Sequence, residues 1–260
     1  MESLYMRIFN SIVVMVVCLS LFTACGIKTD KNLSRSELSL SIWNQKVEYA
    51  GALKNAMKKG DLTPKIELNS LKSKENLYAL GAVGYLKGEV QIFNSSNMTT
   101  YVAANNKLQF DHTHNKNASI LVYSQVPKWL EFKIPDNISS RVEFEKYLKQ
   151  TAEIHGLNIE KAFPFIIEGI IKSNNWHVIN WSAEDKIHTH KKHVQSGIHN
   201  TMKNTPVVML GFFSLHHTGI FTHHTTSMHI HFMTKDKKIA GHSDNMIIGE
   251  NMILKLPKIK

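Results

Sequence analysis

The apolar positions change period along the chain, and each period predicts a different element. Residues 8–22 are almost continuously apolar after Arg7 and close on Leu21-Phe22-Thr23-Ala24-Cys25. That length suits the core of a signal peptide and falls short of the roughly 20 residues that a membrane-spanning helix needs. The expectation is a signal peptide with a lipobox over residues 1–25, leaving an exported chain lipid-anchored at Cys25 in a bacterial envelope. An uncleaved N-terminal membrane helix is the alternative. Residues 26–44, rich in Lys, Ser, Asn and Asp, read as a flexible tether. A folded domain is expected over residues 45–260.

Within that domain, residues 47–59 have helical spacing and stop at Gly60, which predicts a short helix. A strand pattern then takes over. Residues 77–84, 89–93, 99–104, 108–110 and 120–126 are short β-branched or aromatic runs separated by Asn, Gly, Ser and Lys turns. Ser140-Arg141-Val142-Glu143 is a capping-box sequence, and Phe144, Tyr147, Leu148, Thr151 and Ile154 follow on one helical face before Gly156. Residues 163–171, 176–181, 207–213, 228–233 and 252–256 again read as strands. The fold class that follows is α+β, with two mixed or antiparallel sheet halves forming a barrel-like unit.

Composition narrows the chemistry. Cys18 and Cys25 are the chain's two cysteines and both lie in the export segment, so the folded part can hold neither a disulfide nor a thiolate metal site. The formal charge of +10 comes from scattered lysines without a basic run or a recognition motif, which argues against nucleic acid and suits a surface near anionic lipid heads.

Histidine carries the strongest signal. The chain has 15, and most lie between His177 and His242. In Met228-His229-Ile230-His231-Phe232-Met233, side chains two apart on a strand share a face, so His229 and His231 present two imidazoles together. The polar stretch Thr234-Lys235-Asp236-Lys237-Lys238 reads as a reversal that returns His242 opposite the pair. Three imidazoles with an open fourth position form the donor set of a catalytic zinc. A histidine-bearing surface hairpin is the competing reading. A zinc or copper carrier is another, suggested by His216, His217, His223, His224, Met228 and Met233. A cupin-like oxygenase would need a glutamate where Thr234 and Lys235 stand.

The segment from His229 to His242, including the interval between the second and third histidines, resembles the zinc-ligand segment of bacterial α-acetolactate decarboxylases. Gly211-Phe212-Phe213-Ser214 is similar to the strand before it. Gly51-Ala52-Leu53, Lys59-Gly60-Asp61 and the run from Leu80 to Glu89 follow the family's opening block. The resemblance implies a decarboxylase fold, Zn2+ held by His229, His231 and His242, and Glu89 as the active-site carboxylate. It implies conversion of 2-acetolactate, a 2-hydroxy-3-keto acid, to acetoin and carbon dioxide.

Two departures stand out. The family places an arginine shortly after an acidic-Gly pair, but counting on from Glu168-Gly169 lands on His177, and the arginines here are Arg7, Arg35 and Arg141. The substrate-carboxylate role is thus unfilled, or taken by His177 or a lysine. Glu168 is read as a strand-end carboxylate or as a partner orienting a ligand imidazole. The family's acidic tail after the third histidine is also shortened, with Glu250 taken as its sole carboxylate. The partners expected are a small keto acid, a membrane reached through lipid on Cys25 and, as an open alternative, a second copy of the chain in a homodimer. Replacing Cys25 with Ser is expected to abolish acyl labelling and block normal processing; labelling that persists in Cys25→Ser would refute the anchor.

Overall fold

The computed structural model describes residues 42–259; the expected signal peptide and lipobox and most of the expected tether lie outside the described residues. The two halves of the chain each make one antiparallel sheet. The first collects β1 (Glu48–Ala50), β2 (Ile66–Glu67), β3 (Leu77–Val83), β4 (Glu89–Phe93), β5 (Ser96–Asn97), β6 (Thr99–Val102), β7 (Leu108–Asp111) and β8 (Asn117–Gln125). The second collects β9 (Trp129–Lys133), β10 (Phe163–Val178), β11 (Ile198–Phe213), β12 (Met228–Thr234), β13 (Ala240–Ile247) and β14 (Ile253–Pro257). Among the described residues three α-helices lie between strands of one sheet: α1 (Leu53–Lys59) in the first, and α2 (Arg141–Ile154) and α3 (His190–Gln195) in the second.

The α+β expectation holds, and several boundaries move. The helix expected over 47–59 is instead β1 followed by α1. Tyr49 pairs with Val122 of β8, and the chain turns at Gly51 before α1 begins and ends on a left-handed Gly60. The two strands expected at 163–171 and 176–181 are one strand of 16 residues, β10, which pairs along its length with the equally long β11. Its polar middle, Ser173-Asn174-Asn175, looks like a turn in sequence, but buried Asn174 accepts a 2.6 Å bond from the Ser243 hydroxyl and stays in the sheet. Helix α2 is capped as expected, with the Ser140 hydroxyl accepting from the Glu143 amide and the Glu143 carboxylate accepting from the Ser140 amide.

Strand alternation sorts the core from the site. On β12, Met228, Ile230 and Phe232 enter the main apolar core with Phe144 and Leu148 of α2 and Phe165 of β10, leaving His229 and His231 for the opposite face. On β4, Val90 and Ile92 join a second apolar cluster with Leu68, Leu71 and Leu121, so Glu89 and Gln91 point the other way. Both polar sets are buried, and they meet where the two sheets face each other.

Close approach of β13 to β10 depends on Gly241. A Cβ there would stand 2.6 Å from the His177 carbonyl oxygen and 3.0 Å from Val178 Cγ2. Because the first of these is backbone inside a sheet, it cannot rotate away. Gly241→Ala is therefore expected to cost about 1–3 kcal/mol, the range for overpacking a tight interior, read as an earlier urea midpoint. An unchanged midpoint would show that the sheet yields here.

Candidate metal centre

Register brings the three sequence-distant parts of the centre into one row. His242 of β13 stands directly across from His231 of β12 on one side and from His177 of β10 on the other. His229 lies two residues along from His231, on the same face. The expected hairpin forms between β12 and β13, closed by Thr234 and Ile239, with Lys237 in the left-handed region at the turn. His231 is fully buried, and His229 and His242 are each 6% exposed, so the centre is sealed from bulk water on most sides.

The ring nitrogens converge. His229 Nε2 is 3.2 Å from His231 Nε2 and 3.2 Å from His242 Nδ1, and the three residues could together hold a metal ion. Burial is the main reason that all three rings lose protons readily: His231 falls to about 3, and His229 and His242 are pushed well below the ordinary histidine value. Neighbouring imidazoles add to the effect. The rings are therefore neutral at physiological pH and keep lone pairs, as metal ligands must. The donor set fits zinc: nitrogen-only, three-fold and open on one side.

Gln91 fixes one tautomer. Its side-chain amide donates to the Met98 carbonyl and, at 2.7 Å, to the Thr100 hydroxyl, so its oxygen is turned toward His231 Nδ1 at 3.3 Å. With Nδ1–H donated there, His231 Nε2 carries the lone pair that faces the centre. Gln91 was not singled out from the sequence, although it sits two residues from Glu89 and hence on the same face.

Glu89 lies on the inner side of the centre, 3% exposed. Its Oε2 is 3.7 Å from His231 Nε2, its Oε1 is 3.8 Å from His177 Nε2, and Oε1 accepts a 3.2 Å bond from the Ile179 amide. Burial raises its pKa to about 7, a rise that His177 and the Ile179 amide only partly offset. The pKa of His177 also rises, for a different reason. Burial disfavours its charge, yet the bond to Asp244 and the nearness of Glu89 outweigh that and raise its pKa.

Asp244 is the residue that sequence reading overlooked when it took Glu250 as the only late carboxylate. Both Asp244 oxygens lie 2.9 Å from His177 Nδ1. It is the extra residue of a β-bulge: Ser243 pairs with Trp176 and Asn245 with Asn175, leaving Asp244 unpaired and free to aim at His177. Its signal was its place two residues beyond His242. Glu168, by contrast, pairs with Lys235 and, at 3.0 Å, with Lys255, and orients no ligand imidazole.

Arg141 also reaches the edge of the site, from the first turn of α2. Its guanidinium donates to the carbonyl of Asp244 and, at 3.3 Å, to that of Met228. It thereby joins the ends of β12 and β13 where they no longer pair with each other, next to His229 and His242.

Neither a protein-family model nor a curated protein matches the chain. Solved structures do share its fold. The α-acetolactate decarboxylase of Bacillus subtilis strain 168 aligns at 13% identity over 82% of this chain and 85% of its own, with a TM-score of 0.63. The acetolactate decarboxylase of Bacillus subtilis subspecies spizizenii aligns at 14% identity over 82% and 86%, with a TM-score of 0.65. A Staphylococcus aureus protein of unknown function, described as similar to α-acetolactate decarboxylase, aligns at 14% identity over 80% and 84%, with a TM-score of 0.62. At these identities the likeness establishes the fold.

If the three imidazoles are ligands, His231→Ala removes a donor without disturbing the apolar face of β12. Metal content of the purified chain is expected to drop well below one ion while circular dichroism stays near that of the wild type. Full occupancy in the variant would take His231 out of the ligand set.

Proposed function

We propose that this chain is a zinc-dependent carboxy-lyase that converts 2-acetolactate to acetoin and carbon dioxide, exported and held at a membrane by lipid on Cys25. The observation that carries the reading is a carboxyl group, Glu89, buried 3.7 Å from an imidazole of a three-histidine cluster, on a fold shared with acetolactate decarboxylases.

The substrate is a β-keto acid with a neighbouring hydroxyl. When its carboxylate leaves as carbon dioxide, the electron pair of the broken C–C bond moves into the ketone and leaves an enediolate. A zinc ion held by His229, His231 and His242 would act as a Lewis acid toward the developing charge, an effect typically worth several kcal/mol.

The chain's own groups do the rest. Burial, which raises the Glu89 pKa to about 7 in the metal-free chain, favours the protonated form of this carboxyl. It can therefore deliver the proton that turns the enediolate carbon into the carbinol carbon of acetoin, and regain one from solvent afterwards. His177, with Nδ1 committed to Asp244, presents Nε2 toward the cavity as the group that receives the substrate carboxylate. A single imidazole binds that carboxylate more weakly than a bidentate guanidinium would. For a charge that must disappear in the reaction, the weaker grip costs affinity more than rate. The apolar walls formed by Leu53, Ala82, Leu86, Ile120 and Ile179 keep water from the reacting carbon.

A second reading, an envelope zinc or copper carrier on the same fold, draws on the further histidines 190, 193 and 223 that line the cavity. Chemistry separates the two. The zinc-loaded chain is expected to form acetoin from acetolactate, and a loaded chain with no acetoin above a metal-free control favours the carrier. Glu89→Gln should keep its zinc and lose turnover by a factor of about 10² to 10⁴, the usual contribution of a positioned acid. His177→Ala should mainly raise KM and leave kcat nearly intact; a collapse of kcat with KM unchanged would place His177 in the chemical step.

A further inference from the structure

An ion that ends among three rings at most 6% exposed must first leave its hydration shell, and the route inward shows where. Two cavities reach the centre, and a third lies beyond them. One holds Glu89, His177, His229 and His242; a second runs past Arg141 and Asp244; a third opens between α1 and the loop after β11. His190, in the first turn of α3, and His223, in that loop, line all three.

The two rings stand 5.2 Å apart, centroid to centroid. That matches the spacing within the centre itself, where the ring pairs are 4.9 to 5.2 Å apart. From His223 the next steps are short: 5.6 Å to the His242 ring and 6.2 Å to that of His229. His188 and His193, nearby, hydrogen-bond to each other at 2.9 Å and pack on Trp181, which accounts for them as structure. No such bond ties the His190 or His223 ring to protein among the described residues. The position of His223 is nonetheless set, because Glu145 of α2 accepts from the Thr226 hydroxyl at 2.8 Å and from the Ser227 amide at 3.0 Å, anchoring the loop.

We infer that His190 and His223 form a two-imidazole loading site that captures a divalent ion of the zinc class from solvent and passes it to His229, His231 and His242. Two imidazoles and water bind such an ion weakly, three buried imidazoles bind it more tightly, and the gradient runs inward. The inference rests on the three-histidine centre being a metal site, and its test separates the two claims.

The test follows metal uptake by the metal-free full-length chain, using the visible absorption of cobalt(II) and competition of zinc with a chromophoric chelator. In the double variant His190→Ala/His223→Ala, loading is expected to slow about tenfold or more, because a captured ion presents a local concentration near the millimolar range. Final occupancy should remain one ion per chain. Since the affinity of the inner centre is unchanged, release to excess chelator should slow by the same factor. His155→Ala, at an exposed position outside the three cavities, should load as the wild type does. His190→Gln alone, a change at an exposed position, should slow loading in the same direction and keeps the test open if the double variant does not fold. Wild-type rates in the variants would overturn the loading site alone. Loss of final occupancy would overturn it too, by placing the pair within the tight centre. A wild-type chain that takes up no ion would remove the metal reading itself.

Discussion

Three imidazole nitrogens facing one another inside a protein are an electrostatic problem before they are a site. Each neutral ring has one N–H and one lone pair. With His231 Nδ1 turned to Gln91, its Nε2 lone pair points at His229 Nε2, 3.2 Å away, and the same nitrogen lies 3.2 Å from His242. One proton on His229 can serve only one of its two neighbours, so a lone pair is left facing another group without compensation. Protonating a second ring is disfavoured because burial pushes all three pKa values down. A divalent cation would satisfy three ring lone pairs at once.

Both sheets are needed for this. The second supplies the three histidines from neighbouring strands β12 and β13, and the first supplies Gln91 and Glu89 from β4, which reaches the centre only because Val90 and Ile92 bury on its other face. The bulge at Asp244 aims a carboxylate at His177, and Arg141 joins the strand ends where their pairing stops. The outcome is a division of charge within a few ångströms: neutral rings at the centre, a carboxyl with a raised pKa beside them, and a histidine whose positive charge is supported by Asp244.

Much of this was legible in the chain. Histidines two apart on a β-branched and aromatic run, a polar reversal and a returning His242 are short-range features, and strand periodicity places them on one face. The capping box of α2 is equally local. Long strands were harder, because the polar middle of β10 is held by a partner 69 residues away, Ser243, and nothing nearby announces it. Region 47–59 reads as helix because its spacing is helical, yet pairing of Tyr49 with Val122 takes its first part into a sheet. Asp244 and Gln91 were missed although each lies two residues from a residue that was noticed, since their value depends on a bulge and on an amide orientation that only the packed structure fixes. Glu168 reads as a strand-end carboxylate or an imidazole partner, but it stands inside β10 and pairs with Lys235 and Lys255.

Everything proposed for this chain depends on His229, His231 and His242 binding one metal ion with an open coordination position. The most direct measurement is the anomalous diffraction of zinc in crystals of the protein. The expected result is a single strong peak bonded to His229 Nε2, His231 Nε2 and one ring nitrogen of His242 at about 2.0–2.1 Å, the usual zinc–imidazole distance, with solvent at the remaining position. A peak elsewhere, or one closed by a fourth protein ligand, would contradict it.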